Sequence, residues 1–372
     1  MIEQIREEAR RRFSELGFPT THEEDWRFTS VAPISRTRFE PAAPSIRAPQ
    51  VRGVSVAKLS EAPVEQYLAR YASYQNSAFV ALNTANFEDG LFIHIPKGAV
   101  IEEPLEIVIQ SSANGHATIS HPRILIVAED HSQATIIETY KGQGGNYFTN
   151  PVTELVAGAN SVIDHYKLQT EAGGAFHVST THVQLGRDTN FRSHSLAFGG
   201  ALVRNDVNAV LAEGSECTLN GLYLVNGDQH IDNHTSIDHA KPHAASHELY
   251  KGILEGHSTA VFNGKILVRK DAQKTDAKQT NKNLVLSEDA VINTKPELQI
   301  LADDVRCTHG ATIGQLDAEG MFYLQSRGIS RADARDMLIH AFARDIVDRI
   351  KVAPLRDRLE QLLLEKLHGN RN

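Results

Sequence analysis

Thiols are almost absent from this chain: two cysteines, Cys217 and Cys307, stand among 372 residues, with three methionines and a single tryptophan. Two cysteines cannot build a disulfide framework, and they suit a reducing compartment. Nor can they hold a four-thiolate cluster within one chain. No window approaches the ~20 apolar residues of a membrane span. The opening MIEQIREEARRRF is charged and amphipathic, without the apolar core of a signal peptide, so a cytoplasmic protein is expected. A formal net charge of −8 leaves no broad basic field for nucleic acid or anionic lipid. The chain lacks G-x-x-x-x-G-K-[ST], which argues against ATP hydrolysis through a phosphate-cradling loop. Its Gly142-Gln143-Gly144-Gly145 cluster has no strand-to-helix frame around it and reads as a mobile loop. G-x-S-x-G is missing too, as are the acidic residues on successive repeats that a carbohydrate-cleaving solenoid would show.

What is present begins with a helix. Ile2, Ile5, Ala9, Phe13 and Leu16 fall three and four apart and mark one apolar stripe ending at Gly17 and Pro19. Trp26 reads as a packing anchor. From Pro33 to Pro63 the chain is rich in Pro, Arg and Ala with weak periodicity, a loose connection, and Val64–Ser73 reads as a short helix.

From about Phe79 the texture turns to short β-type runs broken by Gly, Asn and Asp. A degenerate repeat aligns VAEDHS, LVAGANS, QLGRDTN, LAEGSE, ILEGHS and LSEDAV. Its turn centres at Ala128, Ala157, Gly186, Ala212, Glu255 and Ser287 are spaced by 29, 29, 26, 43 and 32 residues. Units this small cannot bury their own apolar face and must stack, which favours a β-solenoid. The unequal steps leave a sandwich open. After Gly328 a helical period returns: Ser330 and Asp333 form a capping-box pattern, and Pro354 fits the first turn of a last helix.

The most informative stretch is Lys274 to Arg327. Within it, Asp303-Asp304-Val305-Arg306-Cys307-Thr308-His309-Gly310 places a thiol two residues from an imidazole. On a strand Cys307 and His309 share one face about 7 Å apart, half of a metal site whose other ligands must come from elsewhere. The alternative is a small buried Cys307 beside a turn histidine. Cys217 in GSECTLNGLYL alternates with apolar positions and reads as a core residue. A second group, His230, His234, His239, His243, His247 and His257 with Asp232, Asp238 and Glu248, has ligand chemistry for iron or zinc. Yet His230 and His234 are expected to share a face only on a helix, and QHIDNHTSID reads as extended, so strand and loop histidines are expected.

The run KTDAKQTNKNLVLSEDAVINTKPELQILADDVRCTHGATIGQLDAEGMFYLQSRGI resembles the hallmark segment of the SufB/SufD family of iron–sulfur cluster assembly proteins. GFPTTHEEDWRFT, residues 17–29, is similar to that family's opening signature. The resemblance implies a right-handed parallel β-helix flanked by helical regions, divided here as 1–78, 79–315 and 316–372. The shortage of cysteine points to the SufD branch, a non-ATPase scaffold, with a SufB-like cluster carrier or a purely structural stabiliser as alternatives. It further implies pairing with SufB through the β-helix, docking of the ATPase SufC on the C-terminal helices, and a homodimer when the chain is alone. A transient Fe–S cluster at the SufB interface would then use His309, with Cys307 as a second candidate ligand, and reduced flavin is a further cofactor expected of the assembled complex.

Overall fold

A computed structural model describes residues 1–113 and 115–369. It is mainly β, about 43% strand against 21% helix, and forms a β-solenoid of about 8 turns with helices at the N- and C-terminal sides. Each turn contributes one strand to each of two sheets, one of 12 strands and one of 9. Pairing between successive turns is parallel and in register. In the first sheet Leu202 pairs with His230, His230 with Thr259 and Thr259 with Val291. In the second Glu216 pairs with Ala245, Ala245 with Asp276 and Asp276 with Arg306.

Because the side-chain period on a strand is two, register fixes which rows face inward. One such row is aliphatic: Ile126, Leu155, Val183, Ala209, Ile237, Ile266 and Leu298 stack turn on turn. All but the last are buried in the central core. Burying each of the larger ones contributes about 1.5–3 kcal/mol. The middle turns also bury polar side chains inside the solenoid, and several of these are paired with one another. His165 meets Glu138 at 3.1 Å, His177 meets Glu171 at 2.7 Å, and Lys167 donates to Asn205 at 2.7 Å. Burial pulls the Lys167 ammonium down to about 8, against the opposing pull of Glu138 and Glu171.

The corners explain the irregular repeat. After strands of the first sheet the chain turns through a left-handed residue, in order His131, Asn160, Asp188, Gly214, His243 and Lys274. The motif alignment follows these corners as far as Ala212, then jumps to Glu255 and Ser287, which follow the second-sheet strands Ala245–Leu254 and Asp276–Val285. The 43-residue step is therefore one turn plus half of the next.

The two outer faces are covered differently. N-terminal elements α1 (Ile2–Leu16), α2 (Ala32–Arg36) and α3 (Ala78–Asn86) lie over the first sheet, where Val31, Ile34, Phe79 and Leu82 pack on Phe148, Val178 and Leu202. Arg123 and Glu154, both fully buried there, pair at 2.5 Å, and Glu154 also accepts the backbone N–H groups of Ala69, Tyr71 and Ala72. Val64–Ser73 is thus not a helix: three of its backbone donors are spent on a buried carboxylate while Tyr67, Leu68 and Arg70 close turns, and the helix forms at α3. Part of the stretch expected to be a loose connection supplies two short strands, Ser45–Arg47 and Ser55–Lys58. They pair antiparallel with Leu105–Ser112 and Leu91–Ile95 and close the first turn of both sheets.

At the other side α4 (Ala318–Ser326) follows the last strand, then α5 (Arg331–Val347) and α6 (Ala353–Gly369). Ser330 caps α5 as its motif suggests, accepting from the Asp333 N–H and donating to its carboxylate. α5 and α6 do not cap the open end of the solenoid. Outward-facing Ile137, Tyr166, Leu168, Leu196, Leu222, Ile253 and Leu284 form an apolar band across the second sheet, and Ile339, Ala343, Ile346, Leu355, Leu359 and Leu363 bury it. Among the described residues no helix is long and apolar enough to cross a membrane. Leu359 is fully buried in this contact, so Leu359→Ala is expected to lower the unfolding free energy by about 2–5 kcal/mol in urea denaturation.

Candidate functional site

The solenoid is closed at its first turn and open at its last. Val291–Ile300 ends the first sheet and Arg306–Gly314 ends the second, and among the described residues no further strand pairs with either. Their exposed backbone rows are edges of a kind most proteins cover or charge. Apolar side chains stand uncovered around this end: Val291, Ile300, Leu301 and Ile313 are each at least 40% exposed.

Cys307 and His309 lie on the last strand, Arg306–Gly314, and the structure brings them onto one face as expected. Their register partners Ala277 and Gln279 are buried inside the solenoid, so both point along inward-facing rows that end at the opening. His309 is exposed; Cys307 is half-buried against the central core. Burial, and then Asp276, raise the Cys307 thiol above its ordinary range. Cys217 belongs to the same row as Cys307, three strands deeper through Ser246 and Ala277, and is fully enclosed. That is roughly 14 Å at the usual strand spacing, too far for a shared site.

The row of His309 continues inward to Gln279 and then Glu248, with residue steps of 30 and 31 that sequence reading did not line up. The Gln279 side-chain amide donates to Glu248 at 2.7 Å. Unlike Glu138, Glu154 and Glu171, Glu248 has no basic side chain paired with it among the described residues, and burial raises its carboxyl to about 7.

The histidines of 230–257 do other work. His230, Asp232 and His234 stand on the same outward face of one strand, since positions two and four apart share a face there; the expectation that only a helix would unite His230 and His234 was wrong. They hold the N-terminal signature. Thr29 donates to Asp232 at 2.6 Å and meets His230 at 2.9 Å, while Arg204 and His234 pair with Asp232 at 2.8 and 2.9 Å. Trp26 is the packing anchor expected, with the Arg204 guanidinium 3.7 Å from its ring centre and Phe79 at 5.3 Å. Glu24 then reaches Lys295 on the last strand of the first sheet at 2.5 Å. His239 turns inward to Ser246, His243 makes a corner, and His257 is exposed. Among the described residues no three His, Cys, Asp or Glu side chains are grouped to hold a metal ion.

Residues 108–342 match the family model described as SUF system FeS cluster assembly, SufBD core domain, and residues 44–107 match the SufBD protein N-terminal region. The chain belongs to the SufB/SufD family. It is 38% identical to an iron–sulfur cluster assembly SufBD family protein of Synechocystis over 80% of this chain and 68% of that one. It is 29% identical to the iron–sulfur cluster assembly protein SufD of Escherichia coli, over 95% and 90%. With the chloroplastic protein ABCI7 of Arabidopsis thaliana the identity is 28%, over 96% and 84%. The protein is SufD-like, with a role in iron–sulfur cluster assembly in the SUF system.

The inner end of this site gives a pH test. Folded Glu248 keeps its proton until about pH 7, whereas the unfolded chain releases it near 4.5. Its stabilising contribution is complete below pH 4.5 and lost as pH rises through 7. Glu248→Gln, neutral throughout, is expected to unfold in urea at higher free energy than the parent at pH 8, by about 2–3 kcal/mol, with no such advantage at pH 4.5.

Proposed function

We propose that the open last turn is where this chain joins SufB, and that His309 faces a nascent Fe–S cluster assembled across the joint. The carrying observation is the uncovered end itself. Two unpaired parallel edges, ringed by Val291, Ile300, Leu301 and Ile313, suit a second solenoid whose own last turn can extend the ladder. An inward row reaching that surface would be sealed from water once the partner docks. His309 then offers a neutral imidazole nitrogen to iron, Cys307 lies behind it, and the missing thiolates come from the partner, because one chain has too few. The cluster is cargo here, so affinity for it depends on assembly.

In this reading the chain is a scaffold rather than an enzyme, and ATP hydrolysis belongs to SufC. Its docking surface is α4 with the start of α5, where Phe322 and Tyr323 are 75% and 57% exposed and Met337 49%. Motion imposed there is transmitted to the edge directly, since α4 follows the strand bearing His309.

The test is anaerobic co-expression with SufB and SufC, reading iron content and visible absorption of the purified complex. His309→Ala is expected to leave the complex assembled and its cluster content several-fold lower. An assembled complex with unchanged iron would make His309 structural. In the same preparation Phe322→Ala with Tyr323→Ala is expected to release SufC while SufB is retained; retention of both would place the ATPase elsewhere.

A further inference from the structure

The outer face of the second sheet carries a feature that neither the ladder nor the open end requires. Where the C-terminal part of α5 crosses this face, a cleft of about 450 Å³ opens among Thr218, His247, Glu248, Lys278, Lys282, Asp345 and Arg349, the Glu248 side chain belonging to the inward row on the other face. It lies on the opposite face of the sheet from His309, whose row is the inward one.

Register stacks the basic side chains in and beside this cleft next to one another. His247 pairs directly with Lys278, and Lys251 with Lys282. Neighbouring strands run 4.7–4.9 Å apart, and like charges directly opposite each other destabilise a sheet. One carboxylate answers them: Asp345 reaches Lys251 and Arg349, each at 3.3 Å. Among the described residues Lys278 and Lys282 have no carboxylate partner. Burial, followed by Lys282 and Arg349, pushes the Lys251 ammonium below its ordinary value despite the pull of Asp345. In a chain of net charge −8 this local surplus of positive charge is kept against the fold's interest.

The polar groups between the cations are hydroxyls. Thr218 lies beside His247, and Thr280 sits between Lys278 and Lys282 on their strand. Ammonium, guanidinium and hydroxyl donors converging on one cleft match the oxygens of a phosphoryl group. The volume is that of a small-molecule site rather than of a macromolecular groove. We infer that this cleft binds a small phosphate-bearing anion, held chiefly by Lys278, Lys282 and Arg349. The ion neutralises the stacked lysines, so its binding also stabilises the second sheet at the place where α5 leaves it.

The experiment uses the full chain alone, titrated calorimetrically with pyrophosphate and with ADP, alongside the double variant Lys278→Gln, Lys282→Gln. Both lysines are exposed, so the variant is expected to fold, and relief of repulsion should leave its melting temperature at or above that of the parent. Saturable binding of either probe by the parent, weakened at least ten-fold in the variant, supports the site. No saturable binding of either probe by the parent, or equal binding by the variant, overturns it. Neither SufB nor a cluster takes part, so this result is independent of the role of His309.

Discussion

Parallel, in-register pairing between turns is the constraint on which the rest of this molecule depends. Each turn buries the inward rows of its neighbour and satisfies its backbone, so every interior turn is stable only because two others flank it. The two ends cannot be treated that way. At the first turn the chain bends back and adds antiparallel strands from residues 45–47 and 55–58, which closes both sheets. At the last it adds nothing, and the inward rows ending in Cys307, His309 and Ile313 reach the surface. The asymmetry makes one end a terminus and the other a joint.

The flanking regions serve that ladder before anything else. The N-terminal signature is fastened by Asp232, buried between Arg204, His234 and Thr29. Burial alone would raise this carboxyl, but Arg204 and then His234 hold it well below the usual carboxylate range. The same segment runs on to Lys295, so the first residues of the chain brace the outer side of its last turn. The C-terminal helices give most of their apolar surface to the second sheet and leave the aromatic face of α4 uncovered beside the open end. The two conspicuous motif regions, one hundreds of residues from the other in sequence, thus meet at one end of the solenoid.

Much of this was legible from residues alone. The shift from helical to two-residue periodicity and back located the solenoid and its flanking helices, and the C-x-H spacing put Cys307 and His309 on one face. What escaped has physical causes. Val64–Ser73 has helix-like composition, yet three of its N–H groups bind the Glu154 carboxylate. The corners at His243 and Lys274 run through AKPH and RKDAQK, without the apolar residue followed by small and acidic residues that marks the other corners, so the turn motif vanished there although the backbone turn did not. The row joining Glu248, Gln279 and His309 depends on steps of about one turn, and irregular corners hid that spacing until the register was known. His230 and His234 share a face because alternate positions do so on a strand, a period that the helical i, i+4 rule does not capture.

The central claim is that the open last turn is the joint with a second solenoid. Backbone hydrogen–deuterium exchange tests it most directly, following Val291–Ile300 and Arg306–Gly314 in the chain alone and in complex with SufB. The account predicts fast exchange of the edge amides in isolation and strong protection on complex formation, with the first-turn strands at 45–47 and 55–58 unchanged. Edge strands that exchange equally fast in the complex, with protection appearing on another face, would contradict it.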